Sequence, residues 1–151
     1  MEKGRVVRVQ RQDLEIYRSV QRNAEMGLKA IDMISDKVHD AEMARQLTKQ
    51  GLKYSEFRSR AVEKLLEEKA DPYRGTYMQD IMLATGIHSN TMFNTSTSHI
   101  AEMVIQGSNR GLTDMWKTLN HNKQAEKQSV EFARELMDFE EKNIGRLKSY
   151  L

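Results

Sequence analysis

Apolar and small residues recur in steps of three and four along most of this chain, the pattern of helices that each bury one face. Tyr17, Val20, Ala24, Leu28, Ile31, Ile34 and Val38 make a first run, and Leu47, Gly51, Tyr54, Phe57, Ala61 and Leu65 a second. The third is Met82, Gly86, Ser89, Phe93, Ser96, Ile100, Met103 and Gly107, and the fourth is Ala125, Ser129, Phe132, Leu136, Phe139, Asn143, Leu147 and Tyr150. Only Val6-Val7-Arg8-Val9 has the character of a strand.

The breaks between runs are equally readable. Asp40 is placed to cap a second helix through its carboxylate. Pro72 and Gly75 end that helix, and Asn120-His121-Asn122 separates the third run from the fourth. The spacing therefore predicts helices over 13–38, 40–69, 76–119 and 124–150. A helix over 76–119 would be about 65 Å long at ~1.5 Å per residue, so a kink or break is expected near Gly86 or Gly107. Gly107 and Gly111, four apart, read as a place for close helix packing rather than a ligand loop.

Four such helices joined by short links predict an all-α, antiparallel up-down-up-down four-helix bundle over residues 13–151. Residues 1–12 carry Lys3, Arg5, Arg8 and Arg11 against Glu2. They read as a flexible basic arm, with anion binding as the sharper alternative.

Composition narrows the class. The 151 residues are 38% hydrophobic and 30% charged, with no cysteine, which excludes disulfides, thiolate metal sites and cysteine nucleophiles. The formal net charge of +2, with acids and bases interleaved, argues against a dedicated nucleic-acid surface. No apolar run approaches the ~20 residues of a membrane span and no leader pattern opens the chain, so the expectation is a cytoplasmic protein with no nucleic-acid or membrane partner.

Helix order and length resemble the ferritin-like superfamily. Asn23-Ala24-Glu25-Met26-Gly27-Leu28, the stretch from Ser96 to Gly107, and Glu140-Glu141-Lys142-Asn143-Ile144 resemble a group of uncharacterised small bacterial helical proteins. That resemblance implies a fold over residues 13–151 and no established activity.

Ferritin-like metal proteins place Glu on two helices and Glu-x-x-His on the other two, all facing inward. Here no Glu precedes a His by three residues, and only the reverse spacing, His99-x-x-Glu102, falls mid-helix. At about 100° per residue, Glu25 and Glu102 point away from their apolar faces, while His99 and Glu135 lie at the flanks. His99, Glu102 and Glu135 are thus weak metal candidates. No cofactor is expected, with iron or manganese in a degenerate ferritin-like site as the alternative. The isolated glycines form no phosphate loop, and neither Gly-x-Ser-x-Gly nor His-Glu-x-x-His occurs. The Ser-, Thr- and Asn-rich stretch 89–98 reads as hydroxyls bonding back along their own helix, with a polar core layer, a kink or a ligand pocket as alternatives.

One feature points to assembly. Leu83, Ile87, Ala101, Ile105 and Leu112 form a second apolar stripe on a continuous third helix, and Met26, Ala30 and Met33 a smaller one on the first. A helix apolar on two sides is buried on two sides. The expected function is a non-catalytic, self-associating bundle, a homodimer, with an interaction module for another protein as a further alternative.

Overall fold

A computed structural model describes the backbone of residues 2–151 and the side chains of residues 10–76 and 78–151. The fold is all-α, with five helices among the described residues: α1 (Glu2–Ile34), α2 (Ala41–Glu67), α3 (Tyr77–Thr91), α4 (Thr97–His121) and α5 (Lys127–Leu147). One 3₁₀ turn follows α1 at Ser35–Lys37, and another ends the chain at Lys148–Tyr150.

Helix α1 begins at Glu2 rather than at residue 13, so the backbone of residues 2–12, Val6 to Val9 included, is helical. The side chains of Lys3, Arg5 and Arg8, and the anion-binding reading with them, lie outside the described residues. Part of the reason for the longer helix is tertiary. Gln12 Oε1 accepts a bond from the Gln124 backbone N–H at 2.8 Å, and Asp13 Oδ1 accepts from Glu126 N–H at 2.8 Å and Ser129 Oγ at 2.6 Å. Glu126 makes no side-chain cap of its own, so Asp13 caps α5 from another helix.

The predicted third helix is two. The break lies at Met92–Ser96, not at Gly86 or Gly107. Asn90 Nδ2 donates to Gly86 O (2.8 Å) and Thr91 Oγ1 to Ile87 O (2.7 Å) as α3 ends. Asn94 Oδ1 then accepts from Ser96 N–H, and Ser96 Oγ accepts from His99 N–H to start α4. The Ser/Thr/Asn-rich stretch is therefore partly back-bonding and partly a stop and a start. At the other end of α3, Thr76 and Gln79 form a reciprocal capping box. Asp40 caps α2 by accepting from Met43 N–H at 2.8 Å.

Cross-helix bonds give the directions. Glu25 meets Arg58 at 2.9 Å and Gln10 meets Glu68 at 2.8 Å, so α2 runs antiparallel to α1. Asn23 meets Asp114 at 2.8 Å and Ser19 meets Thr118 at 2.9 Å, so α4 is antiparallel to α1 as well. Asp13 on Ser129 and Tyr17 on Phe132 make α5 parallel to α1. Gln21 on the Tyr73 backbone and Lys29 on Asp80 carry the link and α3 back along α1. The up-down-up-down order over four helices is thus corrected: α2 and α4, flanking the α3 crossover, run the same way.

The core runs the length of α1, α2, α4 and α5, with Ile16, Val20, Leu47, Phe57, Leu65, Ile100, Met115, Leu136 and Leu147 fully buried. An aromatic chain links three helices: Tyr17 to Phe132 (5.8 Å), Phe132 to Phe57 (5.9 Å), Phe57 to Phe139 (5.7 Å) and Phe139 to Tyr54 (5.1 Å, edge-on). Offset and edge-on geometries of this kind add to the area that the rings bury.

Candidate functional site

A cavity of about 520 Å³ opens between α1, α3 and α4. Its apolar wall is Met26, Ala30, Ile31, Ile34, Met82, Leu83 and Val104, and its polar end is formed by Asn23, Tyr54, Ser108 and Glu140, with Arg22 and Asp114 beside it. The volume suits a small organic ligand, and a mostly apolar lining with a few converging polar groups is the usual form of such sites.

Glycines make the room. A Cβ at Gly27 would lie 2.7 Å from the Tyr54 ring, so only glycine lets that ring lie flat against α1. A Cβ at Gly107 would meet nothing within 4 Å, and one at Gly111 would come within 3.4 Å of Asn23 Oδ1. Gly107 therefore opens the cavity wall, while Gly111 sits close against Asn23 on α1.

The polar end is anchored by a buried pair. Tyr54 Oη donates to Glu140 Oε1 at 2.7 Å, and both residues are almost wholly buried. Glu140 Oε2 has no protein hydrogen-bond partner among the described residues. Burial pushes the Glu140 carboxyl above its ordinary range, opposed in part by Ser108 and Tyr54. Burial also drives the Tyr54 phenol well up, and the Glu140 charge adds to it. A carboxyl with one oxygen unpartnered can accept from a ligand when ionised and donate to one when protonated. At the rim, Arg22 bonds Asp114, which also accepts from Asn23 Nδ2 at 2.8 Å, so these charges are mutually satisfied.

The metal candidates do not converge. His99 Nδ1 lies 3.8 Å from Glu102 Oε2, while His99 Nε2 contacts the Asn90 carbonyl oxygen at 2.6 Å, where it fastens the α3–α4 turn. Glu135 stands on α5, exposed and paired with Arg60 at 2.9 Å. No cluster of three or more His, Asp or Glu side chains among the described residues could hold an ion.

The proposed interface residues are buried or half-buried in the single chain. Ala101 and Ile87 are buried, Leu83, Ile105, Leu112 and Met33 pack against the core, and Met26 lines the cavity. The stripe assumed a continuous helix. With the chain reversed at Met92–Ser96, α3 folds back along α1, and Leu83 and Ile87 turn inward.

The sequence reading passed over Glu140 as a site residue, although its position signals it. It lies four residues after Leu136 and three before Asn143, on the buried face of α5. No family model, no curated protein and no solved structure matches the chain.

Proposed function

We propose that the chain is a cytoplasmic ligand-binding bundle that holds a small, mainly apolar molecule with one hydrogen-bonding head group in the α1–α3–α4 cavity. The carrying observation is the buried Glu140 carboxyl at the end of an apolar cavity, with one oxygen held by Tyr54 and the other unpartnered. The apolar body of the ligand would lie along Met26, Ala30, Leu83 and Val104, and its head group would meet Glu140 and Ser108. Four long helices with a single long crossover between the second and third are the arrangement of ferritin-like folds, and this supports a ferritin-like bundle adapted to hold an organic ligand. Fluorescence titration with N-phenyl-1-naphthylamine, an uncharged apolar amine, tests the reading. Saturable binding of one probe per chain, displaced by a medium-chain alcohol, is expected; fluorescence that rises without saturating counts against it.

Self-association is supported by a different observation. Helix α3 and the turn after it expose Met78, Ile81, Met92 and Phe93, besides Met82 at the cavity mouth. The carboxylate in that stretch, Asp80, is bonded to Lys29, and His88 is the other titratable side chain there, so the surface carries no unpaired carboxylate to oppose a second copy. One self-complementary helix face suffices for a two-fold dimer. Light scattering at tens of micromolar would then give a dimer that Phe93→Ser with Ile81→Glu converts to monomer; a wild-type monomer refutes it.

A further inference from the structure

A second site lies on the opposite side of the bundle, where α2 and α5 stand apart. There a groove of about 440 Å³ runs between the two helices. Its floor contains the side-chain amides of Gln50 and Asn143, which are 1% and 0% exposed. Among the described residues neither the oxygen nor the nitrogen of either amide has a hydrogen-bond partner within 3.5 Å, although Asn143 lies close enough to the Tyr54 hydroxyl to act on it. Buried amides are nearly always bonded, because leaving one unbonded costs its full desolvation. Two adjacent unbonded amides lining one groove therefore point to something outside the protein that bonds them.

The walls say what kind of group that is. Lys49, Lys142 and Arg146 line the groove, and none has a carboxylate within ion-pair distance among the described residues. Of the acids there, Glu135 is already bonded to Arg60, which leaves Asp138 as the one carboxylate facing these three cations. Lys53 adds a fourth cation, shared with Glu56 at 3.1 Å. Amide donors at the bottom and ammonium and guanidinium groups at the rim match an oxyanion, and Arg is suited to bind one with two bonds at once.

We infer that the α2–α5 groove binds a small polar anion, a phosphate ester or a carboxylate, with its charged end on Lys49, Lys142 and Arg146 and its hydrogen-bonding part on Gln50 and Asn143. This groove shares no lining residue with the apolar cavity, whose polar end at Tyr54 and Glu140 lies next to Asn143.

The test is a nuclear magnetic resonance titration of the full chain with inorganic phosphate and, separately, with citrate, at constant ionic strength set with chloride. The side-chain amide signals of Gln50 and Asn143 should shift and saturate with at least one of the two anions. Phosphate alone, citrate alone or both would each support the site and identify the head group. Lys142→Ala with Arg146→Ala should weaken that binding at least fivefold. Gln50→Leu should weaken it similarly while leaving the chain folded, as the helical circular dichroism would show. No movement of the two amide signals, or shifts that grow linearly and equally at exposed lysines such as Lys127, would overturn the inference.

Discussion

The hydroxyl of Tyr54 on α2 donates to the carboxyl of Glu140 on α5 inside the bundle, at 2.7 Å. Gly27 on α1 makes this reach available, because any Cβ there would collide with the Tyr54 ring. Three helices thus cooperate to hold one polar pair at the end of the cavity, and the first expectations concern that pair.

Burial raises the folded-state pKa of Glu140 above its ordinary 4.5. The stability tied to its protonated form is fully present below that value and is lost as pH rises through the raised one. Glu140→Gln keeps an acceptor for Tyr54 and cannot ionise. Its melting temperature should therefore gain on the wild type as pH rises above about 4.5. Parallel pH profiles for the two proteins would contradict the burial argument.

Gly27→Ala should destabilise the bundle by about 1–3 kcal/mol, the usual cost of forcing extra atoms into a packed interior. The new methyl displaces the Tyr54 ring, and this outweighs the gain of up to ~1 kcal/mol in helix propensity. Urea denaturation measures it; a neutral or stabilising result would mean that Tyr54 does not lie against α1.

Gly86→Ala tests the opposite case. Its Cβ would meet nothing within 4 Å, and the position is exposed inside α3. The exchange should stabilise by up to about 1 kcal/mol, read as a rise in the urea midpoint. A loss would show that residue 86 is not helical.

Asp13→Ala removes the cap that α1 supplies to α5. The loss should be about 1 kcal/mol, in the range for helix caps, and it should appear as faster amide exchange in residues 126–129 with the rest of the core unchanged. Unchanged exchange there would contradict the tertiary cap.

Much of this architecture was legible in the residues. The apolar steps from Tyr17 to Ile34, from Leu47 to Leu65 and from Phe132 to Leu147 each mark a buried face, and Asp40 caps where its position predicts. What misled was the polar stretch 89–98. Apolar period carries no information on whether two in-phase segments are one helix or two, and Asn94 and Ser96 end that continuity by local side-chain bonds. Once α3 reverses, Leu83 and Ile87 part from Ala101, Ile105 and Leu112 on α4, so the second stripe is split at the break. The cavity was hidden for a different reason. A glycine spaced for close packing and a glycine lining open space look alike in sequence, and only the Tyr54 ring packed on Gly27 distinguishes it from Gly107.

The central claim is that the α1–α3–α4 cavity holds a ligand, and the most direct measurement is the N-phenyl-1-naphthylamine titration repeated on Gly107→Phe. Position 107 lines the cavity and has free space over its Cα, so a phenyl ring there fills the site without entering the core. The account predicts saturable binding to the wild type, and at least tenfold weaker binding to the variant at unchanged helicity. Equal affinity in the two proteins would contradict it.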